Sequence, residues 1–134
     1  MKAVSYLTLS ATEKHSDIIF AELSDPIKVD LAVAKEIVAS RLSFTGNQSH
    51  YLIVDISKVQ SVTAEAKEYL QKPEGGLKNI LGAALVASNP VSALIANIFI
   101  KTPKNFHARF FANKADAINW VCENRSRMVP NTHN

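Results

Sequence analysis

Two stretches of this chain are apolar, of strand length, and lack the alternation of a strand wetted on one face: Tyr51-Leu52-Ile53-Val54-Asp55-Ile56-Ser57, and the run Ile80 to Ala87. Both read as central strands covered on both sides, the pattern of parallel sheets. Parallel neighbours cannot be joined by a tight turn, so each needs a crossover of a dozen or more residues, usually helical. The sequence between and around the two runs therefore has to supply helices for both faces of a sheet.

It does so repeatedly. Val4 to Ser10 and Ile18 to Leu23 read as an N-terminal hairpin around the polar ATEKHSD segment. Asp25-Pro26 suits a turn, and Ile27 to Val29 reads as an extension of the edge. Asp30 is placed to cap a helix from Leu31 to about Ser43, with Leu31, Ala34, Val38 and Leu42 at helical spacing, Ile37 widening the stripe, and Lys35, Glu36 and Arg41 toward solvent. Gly46-Asn47 supplies its stop. Thr63 caps a short helix over 64–70 with Glu65 in its first turn, ended by Pro73 and Gly75-Gly76. Asn89-Pro90 starts a helix to about Ile100, whose Leu94, Ile95, Ile98 and Phe99 read as the buried stripe. Ser92, Ala93, Ala96 and Asn97 make the opposite, small-residue face. Arg109-Phe110-Phe111 is the last strand, and Asn113 caps a helix from Lys114 to about Arg125 that buries Ala117, Ile118, Trp120 and Val121. The expectation is an α/β fold: a mixed sheet of about five strands with about four helices, an N-terminal hairpin and then alternating helix and strand. Residues 1–127 form one domain and 128–134 a flexible tail in this reading.

Composition narrows the class. With 134 residues, 47% of them hydrophobic, the chain is long enough to bury a core without disulfide or metal. Its one cysteine, Cys122, fits a reducing, cytoplasmic setting, and no apolar run reaches the length of a membrane span. Charge is uneven: residues 1–67 carry seven Lys/Arg and eight Asp/Glu, residues 68–134 eight and four. Between Glu74 and Asp116 no acidic residue occurs, while Lys78, Lys101, Lys104, Arg109 and Lys114 do. That window is a candidate positive face for an anion. It lacks the dense basic stripe or interleaved aromatics expected of a nucleic-acid binder.

Four stretches together resemble the STAS superfamily, and more particularly its SpoIIAA-like branch, often grouped with the CRAL-TRIO lipid-binding fold. They are YLIVDISKV at 51–59, SVTAEAKEYL at 61–70, GAALVASNPVSALIANIF at 82–99 and FFANKADAINWV at 110–121. The last resembles the branch most closely through Phe110 or Phe111, Ala117 and Trp120. The resemblance implies a bacterial signalling or protein-binding module. In signalling STAS domains the strand matched by Asp55 leads to an Asp-Ser-Ser-Gly type turn with a phosphorylated serine; here Thr63, Ala64, Glu65 and Ala66 stand in its place. The phosphoswitch serine and the glycine are missing. Glu65 is then either a permanent stand-in for the phosphate charge or an ordinary favourable charge at a helix start.

Catalytic chemistry has little to stand on. Cys122 has no histidine near it in sequence, His15, His50, His107 and His133 are scattered without metal-ligand spacing, and Glu65 and Glu68 sit three apart on a short helix as solvated pairs usually do. No phosphate-cradling glycine motif occurs, and neither a cofactor nor a metal is expected. The expectation is a non-enzymatic interaction or ligand-sensing module. Thr63, Glu65, Ala93 and Asn97 are candidates for contact with a protein partner or a second copy. The alternative is a small anion- or lipid-binding protein, with an apolar space under the 90–100 helix and a basic rim of Lys101, Lys104 and Arg109.

Overall fold

The computed structural model describes residues 4–11, 14–100 and 108–128. Its elements run β1 (Leu7–Ala11), β2 (Ile18–Leu23), β3 (Ile27–Val29), α1 (Leu31–Phe44), β4 (His50–Asp55), β5 (Val59–Val62), α2 (Ala64–Leu70), β6 (Ile80–Val86), α3 (Pro90–Phe99), β7 (Ala108–Phe111) and α4 (Lys114–Met128). Five strands form one mixed sheet in the order β1-β2-β4-β6-β7. β1 and β2 make the antiparallel hairpin, and every other pairing is parallel. The two alternation-free runs are β4 and β6, neighbours at the centre of the sheet, with Ile53 opposite Ala84. Of the expected tail, Met128 closes α4 and 129–134 lie outside the described residues.

The helix starts follow the local chemistry read above. Asp30 accepts from the Val33 amide at 2.9 Å, Thr63 from Ala66 at 3.1 Å, Asn89 from Ser92 at 2.9 Å and Asn113 from Asp116 at 2.9 Å, each satisfying a donor that a helix start leaves free. After α1, Gly46 and Asn47 both take left-handed backbone, φ 62° and 61°.

Successive strand residues point to opposite faces, and the two faces are covered differently. One carries Ile18, Phe20, Tyr51, Ile53, Ala84 and Val86 and is closed by α4 through Ala117 and Val121. The Tyr51 hydroxyl donates to the Arg125 carbonyl at 2.7 Å, and the Arg125 guanidinium pairs with Asp17 at 2.8 Å, which pins the end of α4 to the start of β2. The other face carries Ile19, Ala21, Leu52 and Ala83 and is roofed by α1, α2, α3 and a second, two-stranded sheet.

That second sheet departs from the sequence reading. Ile27–Val29 does not extend the edge of the main sheet; it pairs in parallel with β5, Val29 opposite Val62. The amides and carbonyls of these short segments find each other across some thirty residues, a pairing that local pattern does not announce.

Helix α3 also departs from it. Ser92 and Ala96 are the fully buried residues, whereas Val91, Leu94 and Ile98 are 51, 68 and 44% exposed. Ile95 and Phe99 flank the buried side. The cause is the start of the helix: Ser92 donates its hydroxyl to the Asn89 carbonyl at 3.1 Å and accepts from the Asn89 amide at 3.3 Å, closing a reciprocal capping box. With Ser92 turned inward, the small pair Ser92 and Ala96 lets α3 come down against the molecule, and the larger apolar residues one step round face outward. Arg41, expected toward solvent, is 4% exposed.

Candidate binding cavity

Between the three-helix roof and the sheet lies a cavity of about 160 Å³. Leu52, Val54 and Leu85 form its floor, Ile37 one wall, and Ile95 and Phe99 another. Leu70 at the end of α2 and Leu77 within the α2–β6 connection help close it. None of the described residues of α4 contributes. Small residues on the sheet side leave room for it: Ala83 on the floor and Ala108 on the neighbouring strand β7. A wall of this kind is hydrocarbon, so water gains few partners there and an apolar guest gains contacts.

Arg41 is the one ionisable side chain among its described lining residues. Its guanidinium donates to the Gly76 carbonyl at 3.1 Å and to the Lys78 carbonyl at 2.7 Å, while Nε is buried without a partner. Burial pushes its pKa down to about 10, so it remains charged at neutral pH. The charge holds the 75–78 connection against α1. Gly75 and Gly76 complete that junction, since a Cβ on either would lie 2.4 Å from the Tyr69 carbonyl oxygen or 2.1 Å from that of Leu70. α2 itself ends at Leu70 with Gln71 as its cap, ahead of the expected glycine stop; Gly75 and Gly76 admit the returning chain against its last turn, the Gly76 amide donating to the Tyr69 carbonyl at 3.0 Å.

Near Arg41 lies His50, 2% exposed, whose Nδ1 bonds the Gln48 carbonyl at 2.8 Å and whose Nε2 is buried without a partner. Burial, and then the Arg41 charge, lower its pKa, so the ring is neutral in the fold. Neither residue was singled out from sequence. The available signal was position: Arg41 continues the Ala34, Val38 stripe at i+3, and His50 opens an apolar strand.

Among the described residues, those singled out from sequence do not come together at one site. Thr63 is exposed and caps α2, and Glu65 is exposed in its first turn. Ala93 is half-buried and Asn97 exposed on α3, where the surface is dominated by Val91, Leu94 and Ile98. Lys101 and Lys104 lie outside the described residues. Arg109 is exposed on β7 and sits 5.4 Å from the centre of the Phe111 ring, on the α4 side of the sheet; its neighbours Ala108 and Phe110 turn toward the roofed side. The basic rim expected around the apolar space therefore does not include Arg109.

At the carboxyl ends of β4 and β6, where open α/β sheets often bind ligands, the polar side chains hold one another. The Ser57 hydroxyl accepts from the Ser88 amide and hydroxyl at 3.0 and 2.9 Å, and Asn89 donates to the Ser57 carbonyl at 2.7 Å. Cys122 is half-buried on α4. Among the described residues no group of three or more His, Cys, Asp or Glu is placed to hold a metal ion, and no helix is long and apolar enough to cross a membrane.

A solved structure similar to this chain is that of an uncharacterized protein of the DUF3478 family with a SpoIIAA-like fold, from Shewanella loihica PV-4. The two share 16% identity with a TM-score of 0.60 over 91% of this chain and 99% of the other. At that identity the likeness shows the fold, SpoIIAA-like, in agreement with the resemblance read from the strand and helix motifs. No curated protein matches the chain. The sequence profile described as "Domain of unknown function (DUF7793)" matches residues 12–124, and the chain belongs to that family.

Proposed function

We propose that the protein is a non-enzymatic binding module that senses a small apolar ligand held between its sheet and the roof of α1, α2 and α3. The observation that carries this reading is the hydrocarbon-walled space of about 160 Å³. Side chains able to do chemistry are occupied in ways that support it: Thr63, Asn89 and Asn113 cap helices, and Ser57 and Ser88 tie two strand ends together. Native mass spectrometry of gently purified protein, before and after incubation with a total lipid extract, tests it. A retained small-molecule mass that is lost on denaturation is expected; a bare protein mass under both conditions overturns the reading.

A second reading follows from the exposed stripe Val91, Leu94 and Ile98, which would suit a second copy of the chain. Ala93 and Asn97 would then lie beside the contact rather than form it. Sedimentation of the wild type and of Leu94→Asp decides this: a dimer that the substitution dissociates supports self-association, and the same monomer mass for both removes it.

A further inference from the structure

We propose that the guest of this cavity is an uncharged, compact apolar molecule or group of about six to eight non-hydrogen atoms, excluded when it bears a carboxylate. The inference rests on the ligand-binding reading above and sharpens it to a chemical class. Size comes from the volume: an apolar protein cavity near 150 Å³ stays dry and admits guests such as benzene, and this one is about 160 Å³.

Charge selectivity comes from Arg41. A buried arginine beside an apolar cavity invites a carboxylate partner, but this one is turned away and occupied. Nη1 and Nη2 hold the Gly76 and Lys78 carbonyls, Nε is sealed from any probe the size of water, and the residue as a whole is 4% exposed. Arg41 thus offers the cavity its methylene stem, as long basic side chains do when their heads are engaged elsewhere. The other long polar side chain in the lining, Gln71, is uncharged. A carboxylate entering the space would give up its water and meet no counter-charge, a penalty an apolar group escapes. Taking Arg41 from its two carbonyls to serve the guest would leave the carbonyl of buried Gly76 unpaired. The basic rim that could have received a charged head at the mouth is not formed by Arg109, which stacks on Phe111 on the far side of the sheet.

The test is a pair of titrations followed by methyl and amide NMR, toluene against benzoate, which differ chiefly in charge. Toluene is expected to shift the methyl signals of Leu85 and Ile95 and to bind at least tenfold tighter than benzoate. Ala83→Leu fills the floor of the cavity and is expected to weaken toluene at least tenfold; Val62→Leu, from the second sheet, serves if that variant does not fold. Benzoate binding as tightly as toluene, with both sensitive to Ala83→Leu, overturns the charge exclusion and leaves the cavity as a ligand site. Toluene binding that ignores both filling variants places the guest elsewhere and overturns the inference. No binding of either probe, together with a bare mass after lipid incubation, overturns the functional reading as well.

Discussion

The two faces of the central sheet are built from the same strands and finished in opposite ways. On one, a single helix lies along the sheet, Ala117 and Val121 are fully buried, and Trp120 meets Phe111 with ring centres 5.7 Å apart. On the other, three helices and a two-stranded sheet share the cover and leave a cavity. The difference teaches where binding can arise without loss of stability. A small helical residue such as Ala117, set directly on the sheet, brings the layers into contact, whereas a cover shared among several elements leaves space where they meet. The α4 face holds the fold together, and the roofed face has room to take a guest.

The sharpest way to break this contrast is to remove matter from the packed side. Ile18→Ala, at a residue 1% exposed beneath α4, is expected to lower unfolding free energy by about 4 kcal/mol in urea titrations. A loss below about 1 kcal/mol would mean that the α4 face is as loosely filled as the other.

Adding matter compares the faces within one strand. Ala83 and Ala84 are consecutive, one on the cavity floor and one under α4 with no exposed surface. Ala84→Leu is expected to cost about 3 kcal/mol, while Ala83→Leu should stay within about 1 kcal/mol of the wild type or exceed its stability. Equal costs in thermal unfolding would erase the distinction.

Acid should weaken the roofed side first. His50 is neutral in the fold because its pKa is lowered from the ordinary 6.5 by burial and then by Arg41. The unfolded chain therefore takes up a proton that the folded one refuses. Its contribution is intact above about pH 6.5 and is lost as pH falls toward the lowered value, with a slope of at most about 1.4 kcal/mol per pH unit. His50→Gln should flatten that part of the stability–pH curve, and an unchanged slope would assign it to other groups.

The smallest effect belongs to the edge of the packed side. Arg125 and Asp17 are 32 and 46% exposed, so Asp17→Asn should cost about 0.5 kcal/mol and nothing in 1 M salt. A larger loss that survives salt would show that the end of α4 is held by this pair more than by the Tyr51 hydroxyl.

What could be read from the sequence, and what could not, divides along the same line. The five strands of the main sheet, the four helices and the caps Asp30, Thr63, Asn89 and Asn113 are written in neighbouring residues, because capping and strand-length apolar runs are local. The roofed side depends on meetings between distant segments. β3 finds β5 only in three dimensions, Arg41 looks like a solvated helix residue until Gly76 and Lys78 are placed against it, and a cavity is the volume that several elements fail to fill. Helix α3 misled for a related reason. Its strongest apolar residues suggested an inward face, yet the reciprocal cap at Asn89 and Ser92 set its rotation and put the smallest residues inside. The Thr63 and Glu65 pair was legible as a helix start and is one.

The place of α4 in the chain order bears on biosynthesis. Ile18, Phe20, Tyr51 and Ile53 are made early, but the helix that shields them follows every strand of the sheet in chain order. Until its fifteen residues have emerged from the ribosome, the mixed five-stranded sheet has one oily side open to its surroundings. That interval is when the nascent protein would most need a chaperone, and when a pause in translation would most readily lead to aggregation.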